Sequence, residues 1–227
     1  MSKVYLFLFF VLTAVSGIAQ NDGNPPNWCR GGFFTKGSPE FTLAKIPSLS
    51  ARSVKRAYFH KDGRPDCNAG PDCTSSSYLV PGDEVVVRGE LAGFACAWYP
   101  AAKGVGTVGW ISLEDIEFQR PPSDQPLPDW HGEWKYAEST VKITDNKLAG
   151  WLNVTGDSYW KGLGDNIHIG EIDGRVEPKD GVAEYSDGDD EYDCKVKMTL
   201  LGKYLILDDN LRCGGVNVSF SVIYLKK

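Results

Sequence analysis

The residues best suited to chemistry are the histidines, the cysteines and one dense run of carboxylates. His60, His131 and His168 stand far apart in the sequence, and no CxxC pair provides zinc-ligand spacing. No GxSxG motif occurs, although a Ser–His–Asp triad is defined by geometry, so the sequence leaves that arrangement open. His168 alternates with Ile167 and Ile169, which is typical of a strand histidine. We therefore predict no catalytic residue, no metal site, no cofactor and no enzyme activity.

The carboxylate run is Asp187–Asp193, in which only Gly188 and Tyr192 are not acidic. Oxygen ligands at alternate positions suit Ca²⁺. However, Tyr192 stands where an EF-hand loop needs Gly, and Met198 stands where it needs Glu. We interpret the run as a solvated hairpin tip. Two carboxylates across a cleft would suit glycoside hydrolysis, but the sequence does not set their separation.

The cysteines indicate disulfides rather than thiol chemistry. There are 6 of them, an even number, and pairing in an oxidising compartment leaves no thiolate nucleophile. If each half of the chain pairs only within itself, Cys194 must bond to Cys213. The other four allow several pairings, and those we favour close a tight loop and tie an N-terminal arm to a strand: Cys67–Cys73 and Cys29–Cys96.

Aromatic side chains are the strongest candidates for ligand binding. The chain has 7 tryptophans and 10 tyrosines, and exposed rings supply large contact area at low entropic cost. Large aromatic residues are mostly buried, which favours a core position for most of these rings, and a surface position stays open as the alternative. Trp110 is expected in the core. The candidate binding residues are Tyr58, Trp98, Tyr99, Thr155, Gly156, Tyr159 and Trp160.

The start of the chain has the order of a secretion signal. A basic start precedes the apolar run Val4–Val15, and small residues follow at Gly17 and Ala19. The run is too short for a helix to span a bilayer core of about 30 Å. We therefore expect a signal peptide at residues 1–19 and a mature protein that is periplasmic or secreted, without membrane insertion.

Charge and composition exclude several classes of protein. The chain has 24 basic and 30 acidic side chains, a net charge of −6. An acidic protein is not attracted to phosphate backbones or to anionic lipid, so nucleic acid is disfavoured as a partner. With 42% hydrophobic and 24% charged residues, the chain has globular composition, which excludes disordered, collagen-like and coiled-coil chains.

A proline-rich stretch divides the chain. Gln119–Asp129 reads QRPPSDQPLPD, and proline at this density stiffens the chain and cannot join a sheet ladder. Both flanking segments are long enough for a domain. The sequence predicts a domain at 29–118, a linker at 119–129 and a second domain at 130–227.

The first domain is predicted to be a small barrel of short strands separated by turn residues. The expected strands are Phe41–Ile46, Ala57–His60, Glu84–Arg88, Ala95–Tyr99 and Thr107–Ile111.

Three stretches of this domain resemble bacterial SH3-like domains: Arg56–His60, Tyr78–Val85 and Gly109–Ile116. The resemblance covers residues 56–118 and implies an SH3-like small barrel. In that family the second stretch leads into a sheet strand, and the third forms the last strand and its closing turn. The chain departs from the pattern by an inserted Cys67–Cys73 loop and by Cys96 at a position that is usually aliphatic. These departures leave the predicted fold intact.

The second domain is predicted to be an eight-stranded antiparallel barrel, because closure removes exposed strand edges. Asp173-Gly174 and Gly202 are typical of the tight turns that connect hairpin strands. The closing residues, 192–224, resemble a domain of uncharacterised exported proteins of Gram-negative bacteria. The expected strands are Gly132–Tyr136, Thr140–Thr144, Leu148–Thr155, Asn166–Glu177, Val182–Ser186, Asp193–Leu200, Tyr204–Asp208 and Val216–Leu225.

A short motif in this domain resembles a known binding loop. Thr155–Tyr159 is similar to the Ser-Gly-x-x-Tyr loop of membrane-bound and periplasmic lysozyme inhibitors, with Thr in place of Ser. Those inhibitors are also small, disulfide-bearing antiparallel barrels. A plain turn is the alternative interpretation of the motif.

Three hypotheses about function follow. The leading one is an exported, non-catalytic binding protein of the bacterial envelope that engages peptidoglycan, other cell-wall material or an envelope protein through aromatic surfaces. The second is an inhibitor or immunity protein against a cell-wall hydrolase, for which an acidic loop would suit a basic cleft. The third is a hydrolase.

Overall fold

The described part of the chain is all-β, as the sequence predicts, and forms two antiparallel sheets. The predicted signal peptide and the predicted Cys67–Cys73 disulfide lie outside this part. The computed structural model describes residues 29, 33–37, 39–48, 56–60, 74–101, 105–120 and 125–227.

The first sheet has seven strands in the order β3-β2-β6-β5-β4-β1-β7. A turn of 3-10 helix, Leu113–Asp115, connects β6 to β7. The strands are Thr42–Lys45 (β1), Ala57–His60 (β2), Thr74–Leu79 (β3), Glu84–Leu91 (β4), Phe94–Tyr99 (β5), Thr107–Ser112 (β6) and Glu117–Phe118 (β7).

Alternation along the strands gives the first sheet two faces. On one face, Val85, Val87, Ala95, Ala97 and Ile111 are buried in a common core. Small and β-branched residues at these positions let neighbouring strands pack closely. The other face carries Phe94 and Trp98 of β5 and Trp110 of β6.

The second sheet has eight strands in the order β11-β10-β9-β8-β15-β14-β13-β12 and forms a nearly closed barrel. A short helix, Leu127–Trp130 (α1), precedes it, and no helix of the described residues is long and apolar enough to cross a membrane. The strands are Gly132–Tyr136 (β8), Ser139–Asp145 (β9), Leu152–Lys161 (β10), Ile167–Val176 (β11), Val182–Ser186 (β12), Lys195–Leu201 (β13), Tyr204–Asp209 (β14) and Ile223–Lys226 (β15).

The barrel closes between β11 and β12 through single contacts. The Tyr185 hydroxyl lies 3.4 Å from both the backbone nitrogen and the backbone oxygen of Asp173. Elsewhere on β11, Gly170 forms an isolated bridge with Gly214, which lies in the segment between β14 and β15. Inside the barrel, Trp134 is fully buried and donates its indole N–H to the carbonyl of Trp130 at 2.8 Å. The interior is therefore a packed core.

The two sheets share a buried cluster. Trp98 of β5 meets Tyr204 of β14 edge-on, with ring centroids 5.8 Å apart, and both side chains are buried in the same cluster. At its edge, Lys203 Nζ lies 3.1 Å from Glu84 Oε1. Residues of the two sheets therefore pack against each other in this cluster. The predicted domain boundaries themselves stay predictions.

An N-terminal arm, residues 29 and 33–37, holds both sheets. Cys29 is bonded to Cys96 of β5, as predicted. At the other end of the arm, Lys36 Nζ reaches Asp209 Oδ1 of the barrel at 2.9 Å and Ser221 Oγ at 2.5 Å. The second predicted disulfide, Cys194–Cys213, is also present.

Three elements differ between the prediction and the structure. The predicted strand Leu148–Thr155 begins only at Leu152, because residues 146–150 form the turn after β9. The predicted hairpin turn at Asp173-Gly174 is wrong, since both residues lie inside β11 and pair with β10. The strand β3 was not predicted.

The predicted last strand, Val216–Leu225, is wrong over most of its length. Only Ile223–Lys226 forms a strand. Val216 is exposed, and Asn217 has a positive φ of 68°, which breaks the extended backbone. Alternation along a strand would place Ser221 on the polar face. It instead points inward and donates a hydrogen bond to the buried Asp209.

Candidate functional site

An exposed cluster of an arginine and two tyrosines lies at the β3 edge of the first sheet. Tyr58 of β2 pairs with Tyr78 of β3, and their ring centroids are 5.7 Å apart. The Arg56 guanidinium lies 4.4 Å from the centre of the Tyr78 ring, within cation–π range. A hydrogen bond with Tyr58 raises the pKa of Arg56. We call Arg56, Tyr58 and Tyr78 the Arg–Tyr cluster.

Local sequence explains why these rings reach solvent. In β2, Ala57 and Phe59 are buried in the sheet core, and Tyr58 between them points to the other face. Tyr58 is 37% exposed and Tyr78 is 41% exposed. The cluster thus offers two ring surfaces and a solvated cation that are held together by their mutual contacts.

A cleft of about 580 Å³ adjoins the cluster at Tyr78. Tyr99, a predicted binding residue, forms part of its wall, and its hydroxyl donates to Asp83 Oδ1 at 2.9 Å. Burial raises the pKa of Tyr99, and the hydrogen bond and charge of Asp83 raise it further. The Tyr99 hydroxyl is therefore a fixed, protonated group. The other lining residues are Phe59, Ser76, Ser77, Pro100, Ala101 and Thr107.

Trp98, also a predicted binding residue, is not an exposed anchor. It is only 5% exposed because Tyr204 of the barrel covers it. Its neighbour Tyr99 points to the opposite side of the strand. Of the two positions that the sequence leaves open, Trp98 therefore takes the core position, and Tyr99 but not Trp98 lines the cleft.

The motif Thr155–Tyr159 lies in the middle of β10, not in a loop. All five residues pair with β11 on one side, and Thr155–Asp157 also pair with β9 on the other. Gly156 is buried, and a Cβ there would lie 3.0 Å from the Thr140 carbonyl oxygen. The loop and the turn expected for this motif are both wrong, because its backbone groups are used in the sheet. Thr155 is exposed on the outer face.

Tyr159 and Trp160 lie near the end of β10 in different surroundings. Tyr159 is 43% exposed and stands opposite Ile169 of β11. Trp160 is half-buried and packs against His168, with ring centroids 5.1 Å apart. We call the exposed residues Tyr159, Ile167 and Ile169 the barrel-end surface.

The acidic hairpin Asp187–Asp193 uses carboxylates to hold its own backbone. Asp193 Oδ2 accepts from the Asp190 amide at 2.7 Å, and Asp190 Oδ1 accepts from the Tyr192 amide at 3.0 Å. Among the described residues, no group of three or more His, Cys, Asp or Glu side chains is arranged to hold a metal ion. The remaining carboxylates of the tip are exposed.

The three histidines lie in separate surroundings. His60 packs on Phe94 of the first sheet at 4.7 Å between ring centroids. His131 Nε2 lies 3.2 Å from Asp145 Oδ1, and the His168 ring bonds to the Val216 carbonyl. Their positions do not form one joint site.

Sequence reasoning missed Arg56 and Tyr78 as site residues. The signal that points to them is the cross-strand pairing of Tyr58 with Tyr78, which requires that β3 be recognised first. The serine-rich run Thr74–Ser77 weakens the apolar alternation by which a strand is recognised.

Comparisons with known proteins reveal no relative of this chain. No protein-family model matches it, no curated protein matches it, and no solved structure matches it. The resemblances to SH3-like domains and to exported proteins therefore stay predictions.

Proposed function

We propose that the protein is an exported, non-catalytic binding protein of the bacterial envelope that holds cell-wall material on the Arg–Tyr cluster. The observation that carries this proposal is the position of the Arg56 guanidinium over the exposed ring of Tyr78, which in turn packs against the exposed ring of Tyr58. The two disulfides, Cys29–Cys96 and Cys194–Cys213, support an oxidising compartment.

The chemistry of the cluster suits a glycopeptide. Sugar rings have apolar faces that pack on aromatic side chains, and Tyr58 and Tyr78 offer such surfaces. Peptide carboxylates pair with the planar guanidinium of Arg56 through two parallel hydrogen bonds. The hydroxyl-bearing wall of the adjoining cleft supplies further hydrogen-bonding groups for a bound sugar.

Co-sedimentation with purified, insoluble peptidoglycan tests this proposal. Tyr58→Ala should weaken binding about 30-fold, equivalent to about 2 kcal/mol for an exposed anchor residue, with an unchanged melting temperature. Arg56→Gln should also weaken binding and reduce its dependence on salt, since the guanidinium charge is lost.

Tyr159→Ala is the matched control, because it removes an exposed tyrosine from a strand of the other sheet. This variant should sediment with peptidoglycan as the wild type does. The proposal is overturned if wild-type protein does not sediment with peptidoglycan, or if Tyr58→Ala and Tyr159→Ala weaken binding equally.

The barrel favours a second candidate, an inhibitor or immunity protein against a cell-wall hydrolase. Tyr159 is exposed beside Ile169 at the end of the barrel, and an apolar surface with an aromatic centre is typical of a protein interface. The acidic hairpin Asp187–Asp193 and the net charge of −6 would speed encounter with a basic enzyme.

A muramidase assay with a basic lysozyme as the probe separates the two candidates. Under the inhibitor hypothesis, lysis of cell walls is inhibited, Tyr159→Ala relieves the inhibition, and Tyr58→Ala does not. Raising the salt concentration should slow association, because exposed charges are screened. Undiminished lysis at an excess of the protein excludes this candidate for that enzyme.

A further inference from the structure

The outer face of the β10–β11 hairpin carries three rows of side chains that point away from the barrel core. Alternation along both strands places them there, because the residues between them on β10 face inward or line the barrel end. The cross-strand pairs that form the rows, in order from the hairpin turn, are Lys161–Ile167, Tyr159–Ile169 and Asp157–Glu171. An apolar row therefore lies between a row with one cation and a row with two carboxylates.

The charges of this face lack counter-charges. Asp157 and Glu171 stand directly opposite each other, and like charges in this arrangement destabilise a sheet. Within the described part of the chain, neither carboxylate forms an ion pair with a basic side chain, and Lys161 forms none with a carboxylate. An arrangement that costs stability in the free chain favours a partner that supplies the missing charge.

The middle row is apolar and open. Tyr159 is 43% exposed and Ile169 is 49% exposed, so about half of each side chain can still be removed from water. An apolar centre with a charged rim has the layout of a protein interface. The order of the rows then determines which partner fits.

The three rows are complementary to themselves under a two-fold axis. An axis that crosses both strands through the Tyr159–Ile169 pair sets the middle row of one copy on the middle row of the other. It reverses the order of the outer rows, so Lys161 faces Asp157 of the second copy, and the symmetry makes this contact twice. Sheets that pack face to face keep their strands within about 30° of each other, which this arrangement allows.

We propose that the outer face of the β10–β11 hairpin binds a second copy of this chain, with the barrel-end surface at the centre and Lys161 paired with Asp157 of the second copy on both sides. The face is only two strands wide, so it offers less area than the standard interface of about 1,600 Å². The net charge of −6 also opposes association. We therefore expect a weak, reversible dimer.

This interaction goes beyond the proposed binding of cell-wall material, which uses the first sheet. It concerns the same surface as the second candidate function. A basic enzyme that bound at Tyr159 would have to displace the second copy, because both would cover the same apolar row.

Sedimentation equilibrium of the full chain, up to a protein concentration of about 1 mM, tests the proposal by charge exchange. The wild type should dimerise reversibly. Lys161→Glu and Asp157→Lys should each weaken dimerisation at least about tenfold, because each variant brings like charges together at both contacts. An equimolar mixture of the two variants should form dimers at close to wild-type affinity, because both contacts of the mixed pair join opposite charges. This recovery would also show that both variants are folded.

Two further variants serve as matched controls. Asp145→Lys reverses the charge of a side chain that is 88% exposed and lies opposite Leu152, at the other end of β10 from Tyr159. Tyr58→Ala removes an exposed ring from the first sheet. Both should dimerise as the wild type does. Since Tyr58→Ala should lose peptidoglycan binding, failure of the dimer and failure of the proposed function are distinguishable.

Removal of the apolar centre provides an independent measurement. Tyr159→Ala should weaken dimerisation at least about tenfold with an unchanged melting temperature. The proposal is overturned if the wild type stays monomeric up to about 1 mM, if Tyr159→Ala dimerises as the wild type does, or if the mixture of Lys161→Glu and Asp157→Lys stays monomeric.

Discussion

The first sheet carries aromatic side chains both at its β3 edge and in its central strand β5, and the two regions have opposite surroundings. At the edge, Tyr58 and Tyr78 are open to solvent and are held by Arg56. In the centre, Trp98 is covered by Tyr204 of the barrel. The difference shows that the neighbouring sheet, rather than the residue type, decides whether a ring stays exposed or is buried in the core.

The largest expected effect comes from removing the covered ring. Trp98→Ala should lower the free energy of unfolding by about 3–5 kcal/mol, the usual cost of deleting a buried large aromatic side chain. Tyr58→Ala should change it by less than about 0.5 kcal/mol, because its exposed ring leaves no cavity. Urea unfolding followed by circular dichroism measures both. Equal losses in the two variants would show that the comparison between edge and centre is wrong.

The next effect concerns the arm that joins the two sheets. Lys36 pairs with Asp209, whose side chain is fully buried, and Lys36→Met leaves that carboxylate without its cation. Breaking a buried pair costs about 3–5 kcal/mol, but Lys36 is 26% exposed and two serine hydroxyls remain bonded to Asp209. We therefore expect a loss of about 2–3 kcal/mol in urea unfolding.

Lys45→Met is the matched control for the arm. Lys45 pairs with Glu84 at 3.6 Å, and its side chain is 47% exposed. An exposed pair contributes about 0–1 kcal/mol, so this variant should unfold close to the wild type. Should the two lysine variants prove equally stable, the arm contributes no more than an ordinary surface contact.

Much of the fold follows from the sequence where local pattern and packing agree. Ala57–His60, Gly132–Tyr136 and Val182–Ser186 are strands with the predicted bounds. Buried and more exposed side chains alternate in Ala57–His60 and Val182–Ser186, and Trp134 is the buried residue of Gly132–Tyr136. The disulfide Cys194–Cys213 follows from the division of the chain, and Cys29–Cys96 is the favoured one of several open pairings; both are present.

The rest depends on contacts between distant segments. Trp98 and Tyr99 are adjacent and similar in type, and only the position of the barrel makes one a core residue and the other a cleft residue. Ser219 and Ser221 look like the polar face of a strand, yet both bond to the buried Asp209. The local sequence pattern of a strand does not show which distant residue each side chain will contact.

The smallest expected effect is a pH dependence of the free energy of unfolding that arises from the buried carboxylate of Asp209. Burial by itself would raise the pKa of Asp209, but hydrogen bonds from Ser221, Ser219 and Lys36, together with the charge of Lys36, outweigh it and hold the pKa below its ordinary value. A carboxylate with a lowered pKa contributes stability that is present above its unfolded pKa, about 3.9. That stability is lost as the pH falls through the folded value.

Unfolding in urea from pH 5 down to about pH 2 should therefore show a loss of stability that Asp209→Asn reduces, because the amide does not titrate in this range. The asparagine variant should be less stable than the wild type at pH 7, where the ion pair with Lys36 is intact, and the two should converge as the wild-type carboxylate is protonated. Asp145→Asn is the control, since it removes a carboxylate that is 88% exposed, and its pH dependence should follow that of the wild type. If Asp209→Asn keeps the full wild-type dependence, other carboxylates account for the acid sensitivity. The polar contact between arm and barrel would then contribute to stability at all pH values alike.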